Sequence, residues 1–317
     1  MAASLRRWAM PLLRWVGTLT LLLLIFRSVD FAEFRSALAQ ALWPYLALAA
    51  LTLIVQRLLM AHRLQQVTKL FDDPPSYHDS IAMILTSSLA GFALPGGIAT
   101  DVVRGYQLNS LIKNPGNAIS AVLLDRFFGI LAILCIGAMA GMLAGSELAA
   151  QYRWFPLASL ALLVFGLLLA RPLMSLLEAT VIGSVSAVKK LFSFTDALLR
   201  GLALNRQTAY LFAISLTIQL SRCLIFFWLF FAMSVPVSPS HVFVFVPVMF
   251  ILIMVPVSVG GLGVREGILV LMFAPMGVEI EKLILIGFAS HLLEFLTTLP
   301  GGWYLLRGLP SRRSSDH

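Results

Sequence analysis

"GFALPGGIATDVVRG" runs from Gly91 to Gly105, and "VPVSVGGLGVREG" runs from Val255 to Gly267. Each contains a proline, a Gly-Gly pair and then an arginine with an acidic residue close by. Both interrupt long apolar runs, where an ionised side chain is expensive and marks a functional position by default. Repeating such a feature in one chain points to two related structural units.

Composition names the solvent. Hydrophobic residues make up 59% of the 317 residues and charged ones 12%, against about a quarter charged in ordinary soluble domains. The mean hydropathy is +0.91. Such a chain cannot hide its apolar surface in a soluble core, so it reads as an all-α polytopic membrane protein, residues 1–317 forming a single integral membrane domain. The formal charge of +8 fits cytoplasmic loops and anionic lipid rather than nucleic acid. Cys135 and Cys223 lie inside apolar runs and read as small core residues. Arg6, Arg7 and Arg14 precede "WVGTLTLLLLIF", which reads as a first span rather than a cleaved signal, because no small-residue cleavage site follows.

A span needs about 20 apolar residues. Six segments qualify, at 8–26, 42–61, 117–145, 154–171, 208–234 and 283–305. Lys and Arg mark the cytoplasmic side. The basic N-terminus, the 62–78 loop with His62, Arg63 and Lys69, the 171–207 segment and the C-terminus with Arg307, Arg312 and Arg313 are therefore inside. The 27–41, 146–153 and 233–241 loops are outside. Segments 79–112 and 242–276 must then enter and return on the same side, the first from inside and the second from outside. The chain becomes two halves of one plan, 8–145 and 154–305, inverted relative to each other. Each half has span, span, re-entrant hairpin and span, counted together as about eight transmembrane segments. Inverted repeats with broken helices are a usual transporter architecture. The alternative is that 79–112 and 242–276 each cross twice. The 173–206 stretch reads equally as an interfacial amphipathic helix or a connecting loop, and Trp8, Trp15, Trp43, Trp154 and Trp303 fall near span ends as interfacial anchors do.

The intramembrane ionisable residues are Asp101 and Arg104 after the first Gly-Gly pair, Arg265 and Glu266 after the second, and Asp125 and Arg126 in the third span. Arg57 and Arg222 stand near Gln56 and Gln219, and His291 and Glu294 lie in the last span. Neighbours on a helix point about 100° apart, so Asp125 and Arg126 each need a partner on another element, which the hairpins can supply. Asp101 and Arg104, three apart, could instead pair locally. A Gly-Gly turn that opens a helix and is followed by an arginine suits an anion, and arginine grips phosphate in a bidentate way. The candidate head-group site is Gly96, Gly97, Asp101, Arg104, Asp125, Arg126, Arg222, Gly260, Gly261, Arg265, Glu266 and Glu294. A buried ion-pair network that only locks helices together would use the same residue types. No nucleotide-binding, metal-ligand or nucleophile-base motif stands out, so no cofactor, metal or enzymatic activity is expected.

"LPGGIATDVVRGYQL", "AISAVLLDRFFGIL" and "VPVSVGGLGVREGILVLMF", in that order, resemble the lysylphosphatidylglycerol synthase transmembrane-region family of flippase-like proteins, over about residues 10–305. The resemblance implies a lipid transporter of the flippase or scramblase kind in a bacterial inner membrane, with both termini cytoplasmic. Its substrate would be phosphatidylglycerol or an aminoacyl derivative, with polyprenyl-phosphate sugar lipids as the alternative, and a separate lipid-modifying enzyme as a partner. Relatives that carry a soluble aminoacyl-transferase domain have it after the membrane part. Only "SRRSSDH" follows the last Arg-Gly-Leu-Pro here, so the synthase reaction is not expected of this chain. Many members have a basic residue where this chain has Glu294. Two other functional classes stay in view: a lipid-phosphate enzyme using Asp125 or Glu266, and a membrane scaffold that does not transport.

Overall fold

The structure, a computed structural model, describes residues 31–71, 74–93, 99–111, 115–144, 154, 156–163, 165, 205–254, 258 and 261–307. It contains α1 (Phe31–Ala39), α2 (Trp43–Thr68), α3 (Tyr77–Ala93), α4 (Ala99–Leu111), α5 (Pro115–Leu143), α6 (Arg206–Ala232), α7 (Pro239–Ile253), α8 (Val264–Phe273), α9 (Ile280–Thr298) and α10 (Pro300–Arg307), and no strand among the described residues. Helices satisfy their own backbone groups, the condition for crossing lipid.

Among the described residues, four helical stretches are long and apolar enough to cross a membrane: Trp43–Phe71, Asn117–Leu143, Arg206–Ala232 and Ile280–Leu306. They coincide with four of the six expected spans. The expected span at 8–26 and nearly all of 173–206 lie outside the described residues, and the span at 154–171 is described only in part. The helices of the two glycine-bearing segments are shorter. α3 has 17 residues, α4 13, α7 15 and α8 10, all below the ~20 that a bilayer crossing requires.

Two expectations need correcting. Residues 27–41 do not form a plain loop, because 31–39 are helical and α1 packs on α9. The second span does not end at Ala61. Ala61, Leu64 and Val67 keep a buried apolar stripe at three-residue steps, so α2 continues to Thr68 before a short turn at Lys69–Phe71. Arg63, expected in a cytoplasmic loop, is therefore buried.

α2 and α6 form the most extensive helix pair. α2 packs on α3 as α6 packs on α7, the short helices pair as α3 with α4 and α7 with α8, and α4 lies on α5 as α8 lies on α9. α7 also packs on α5, and α3 on α9. Hydrogen bonds fix the centre: Gln56 donates to the Ile218 carbonyl at 3.1 Å on the facing helix, and Gln219 to the Gly129 carbonyl at 2.9 Å. Two buried apolar clusters flank this centre. One, around Leu64, Met83, Leu108, Leu124 and Phe128, joins α2 to α5. The other is more aromatic, with Phe230 and Phe245 both against Phe273. Edge-on and tilted ring pairs of this kind add about 0.5–1.5 kcal/mol each beyond area burial.

Candidate functional site

The second glycine stretch shows its local logic. Gly261 and Gly263 both have φ 79°, a conformation most side chains resist. A Cβ on Gly261 would also meet Ile253 at 3.1 Å. The turn ends at the N-terminus of α8, where the Glu266 carboxylate accepts the Gly263 N–H at 2.8 Å. Glu266 thus satisfies a donor that the helix leaves open. It is fully buried, and Gly287 on α9 makes the room: a Cβ there would stand 2.6 Å from Glu266 Cγ. Arg265 projects separately. Its Nη1 donates to Ser290 Oγ at 2.7 Å and its Nη2 to Glu294 at 3.1 Å. His291 Nε2 lies 3.5 Å from Glu266.

The first stretch reaches a similar end. Asp101 and Arg104 do not pair with each other; each bonds across to α5. Arg126 forms an ion pair with Asp101, and Arg104 lies 3.4 Å from Asp125. Arg63 of α2 adds a bidentate grip on Asp125, at 2.7 and 3.0 Å, and a bond to Ser215 at 3.1 Å. Asp125 is 3% exposed, so two guanidiniums share one carboxylate out of contact with solvent or lipid.

A cavity of about 240 Å³ lies where the halves meet. Arg57, Arg104, Arg222 and Arg265 all face it, with Glu294 as the carboxylate among its lining residues. Ser88, Thr100 and Ser258 add hydroxyls, while Leu53, Met60, Phe92 and Ile253 supply apolar wall. Arg57 donates to Ser88 at 2.8 Å. Arg222 lies over the Phe250 ring, 4.3 Å from its centroid. Among the described residues neither is ion-paired, and the Nε atoms of Arg57, Arg104 and Arg265 and the hydroxyl of Ser258 are buried without a hydrogen-bond partner. Such groups are costly to leave unmet. Together they line a concavity among membrane helices whose donors are chemically suited to an anion.

Of the residues expected at the site, Arg104, Arg222, Gly261, Arg265 and Glu294 line the cavity. Asp125 and Glu266 stand behind it. Asp101 and Arg126 do not join it: Asp101 lines a separate groove of about 480 Å³ with Val102, Tyr106 and Ile119. Gly96, Gly97 and Gly260 lie outside the described residues. Arg57 stood among the intramembrane charges but not among the expected site residues, and Arg63, Ser88, Ser258 and Phe250 were missed. The readable signal for Arg63 was the buried stripe of Ala61, Leu64 and Val67, which continues beyond the assumed end of the span.

The family model described as "Lysylphosphatidylglycerol synthase TM region" matches residues 12–301. The chain belongs to this family. It is thus a multi-pass membrane protein of a family tied to lipid metabolism or transport, and the match spans the cavity and all its described lining residues. None of the curated proteins matches the chain.

Proposed function

We propose that this protein carries a phosphate-bearing lipid across a bacterial inner membrane, as a flippase or scramblase, with phosphatidylglycerol or its aminoacyl derivative as the reference substrate and polyprenyl-phosphate sugar lipids as the alternative. The observation that supports this most is the cavity where four guanidiniums face one carboxylate. Buried cations without counter-charge are unfavourable, and a lipid phosphate offers both charge and acceptor oxygens in the bidentate geometry that arginine prefers.

The halves support a moving part. Exchanging α2 with α6, α3 with α7, α4 with α8 and α5 with α9 preserves which helices pack on which. On this reading α3–α4 and α7–α8 are re-entrant hairpins from opposite faces, related by a pseudo-two-fold axis in the membrane plane. The cavity lies between them and opens to one leaflet at a time. The chain works without chemistry on its substrate, and its partners are the lipid and a separate lipid-modifying enzyme that supplies it. Both termini are cytoplasmic.

Two measurements test this. Purified protein in vesicles should move a fluorescent phosphatidylglycerol analogue or a polyprenyl-phosphate lipid between leaflets, and Arg104→Ala or Arg265→Ala should nearly abolish movement at matched amounts of folded protein. Unchanged rates in both variants with both lipids would leave the arginines as packing alone. Cysteines at Ser76 and Ser238, in a background lacking Cys135 and Cys223, should react with impermeant reagents from the cytoplasmic and external faces respectively. Labelling of both from one face would remove the inverted arrangement.

A further inference from the structure

We infer that the cavity is matched to a head group bearing two negative charges, a diphosphate diester or a doubly ionised phosphomonoester, in preference to a single phosphodiester. The inference rests on the lipid-transport reading and narrows its substrate. Five guanidiniums lie at the cavity or directly behind it: Arg57, Arg63, Arg104, Arg222 and Arg265. Three carboxylates answer them. Asp125 is shared by Arg63 and Arg104, Glu294 is held by Arg265, and buried Glu266 lies beside His291. Among the described residues, positive charge is therefore in excess by two with His291 neutral, and by three with it protonated. Asp101 and Arg126 pair off on the other side of α4 and do not alter the balance. The stretches 94–98, "LPGGI", and 255–260, "VPVSVG", contain no ionisable side chain.

The excess is localised. Arg57 is held by a serine hydroxyl and Arg222 by an aromatic face. Neither partner carries charge, so neither neutralises its guanidinium. One phosphodiester would cancel one of these charges and leave the other buried and unmet. A head with two charges cancels both, and its extra oxygens reach the open Nε of Arg57 and the hydroxyl of Ser258. Glu294 works in the opposite sense: it fixes the excess, and its removal would raise the charge the cavity asks for. Specificity of this kind is a difference between two affinities.

The test compares lipids with the same acyl chains and different heads. The full chain, purified in a neutral detergent at pH 8.5, is titrated with dioleoyl phosphatidic acid, a cytidine-diphosphate diacylglycerol and dioleoyl phosphatidylglycerol, following thermal stabilisation. The two doubly charged lipids should bind about ten-fold more tightly than phosphatidylglycerol, a difference easily resolved. Arg57→Gln and Arg222→Gln should each shrink that ratio towards one, and Glu294→Gln should widen it. Binding of phosphatidylglycerol as tight as the others, or a ratio unmoved in both Arg57→Gln and Arg222→Gln, overturns the charge matching. A preference for only one of the doubly charged lipids still supports it and selects between monoester and diester. The vesicle assay separates the two levels. If the ratio holds but no lipid crosses, the transport reading fails and the charge matching stands. If phosphatidylglycerol crosses and binds as well as the rest, the reverse holds.

Discussion

The clusters around Asp125 and Glu294 use the same pairing with their spacings exchanged. In the first, the short helix carries its charges three apart, at Asp101 and Arg104, and the long helix carries them adjacent, at Asp125 and Arg126. In the second, the short helix has the adjacent pair, Arg265 and Glu266, and the long helix has His291 and Glu294 three apart. Each arrangement gives two acid-base contacts between a short helix and the long helix that follows. They differ in closure. The Asp125 side chain is 4% exposed and clamped by a third helix through Arg63, whereas that of Glu294 is 26% exposed, bonded through Arg265 and open to the cavity. One cluster is a closed joint, and the other opens on the cavity, where the proposed lipid phosphate would meet Arg265.

The largest expected effect tests that contrast directly. Asp125→Asn leaves Arg63 and Arg104 sharing no carboxylate, and breaking a buried pair in this way costs about 3–5 kcal/mol. Depleted or unfolded protein is expected, measured by yield of folded chain and thermal unfolding. Glu294→Gln leaves Arg265 bonded to Ser290 and should cost about 1–3 kcal/mol. Equal losses in the two variants would erase the distinction, and a folded, fully active Asp125→Asn protein would sink both roles considered for that residue. Next in size is Gly287→Ala, whose Cβ would press on the Glu266 side chain. Overpacking of this kind costs about 1–3 kcal/mol, visible as a lowered unfolding temperature.

Arginine-to-lysine exchange sharpens the comparison at the level of function. Arg104→Lys and Arg265→Lys keep the charge and lose the planar fork. Both should accumulate normally and move lipid roughly ten-fold more slowly, a transition-state difference of about 1.4 kcal/mol. Parental rates would mean that charge alone matters. The smallest effect belongs to Glu266→Gln, because the amide oxygen can still accept the Gly263 N–H. A loss of about 0.5–1.5 kcal/mol is expected, and a loss as large as that of Asp125→Asn would show that Glu266 carries its charge for the arginines rather than for the turn.

The sequence made some of this readable, for physical reasons. Adjacent charges on one helix cannot satisfy each other, so the spacing of Asp125 and Arg126 already demanded partners elsewhere, and α4 supplies both. Apolar length marked four helices, since burial in lipid leaves an unbroken signal. The end of α2 was obscured, because Arg63 reads alike as a cytoplasmic marker and as a buried partner of Asp125, and that ambiguity outweighed the apolar steps at Ala61, Leu64 and Val67. The role of Arg57 was hidden for a different reason. Its partners, Ser88 and the cavity, are set by how α2 meets α3, and a lone arginine in an apolar run does not announce which neighbour it meets. The grouping of Arg57 with Arg222 depends on tertiary packing between halves more than 160 residues apart, which no local pattern encodes.

The way Arg222 waits over Phe250 bears on kinetics. A ring face holds a guanidinium by about 0.5–2 kcal/mol, enough to keep the side chain aimed and too little to compete with phosphate. Arg57 on its serine is similar. On the proposed reading, an arriving anion displaces these weak placeholders at Arg57 and Arg222, and a departing one is replaced by them. On the proposed transport reading, Arg57 and Arg222 favour quick capture and release of the head group, while Arg104 and Arg265 stay positioned by Asp125 and Glu294.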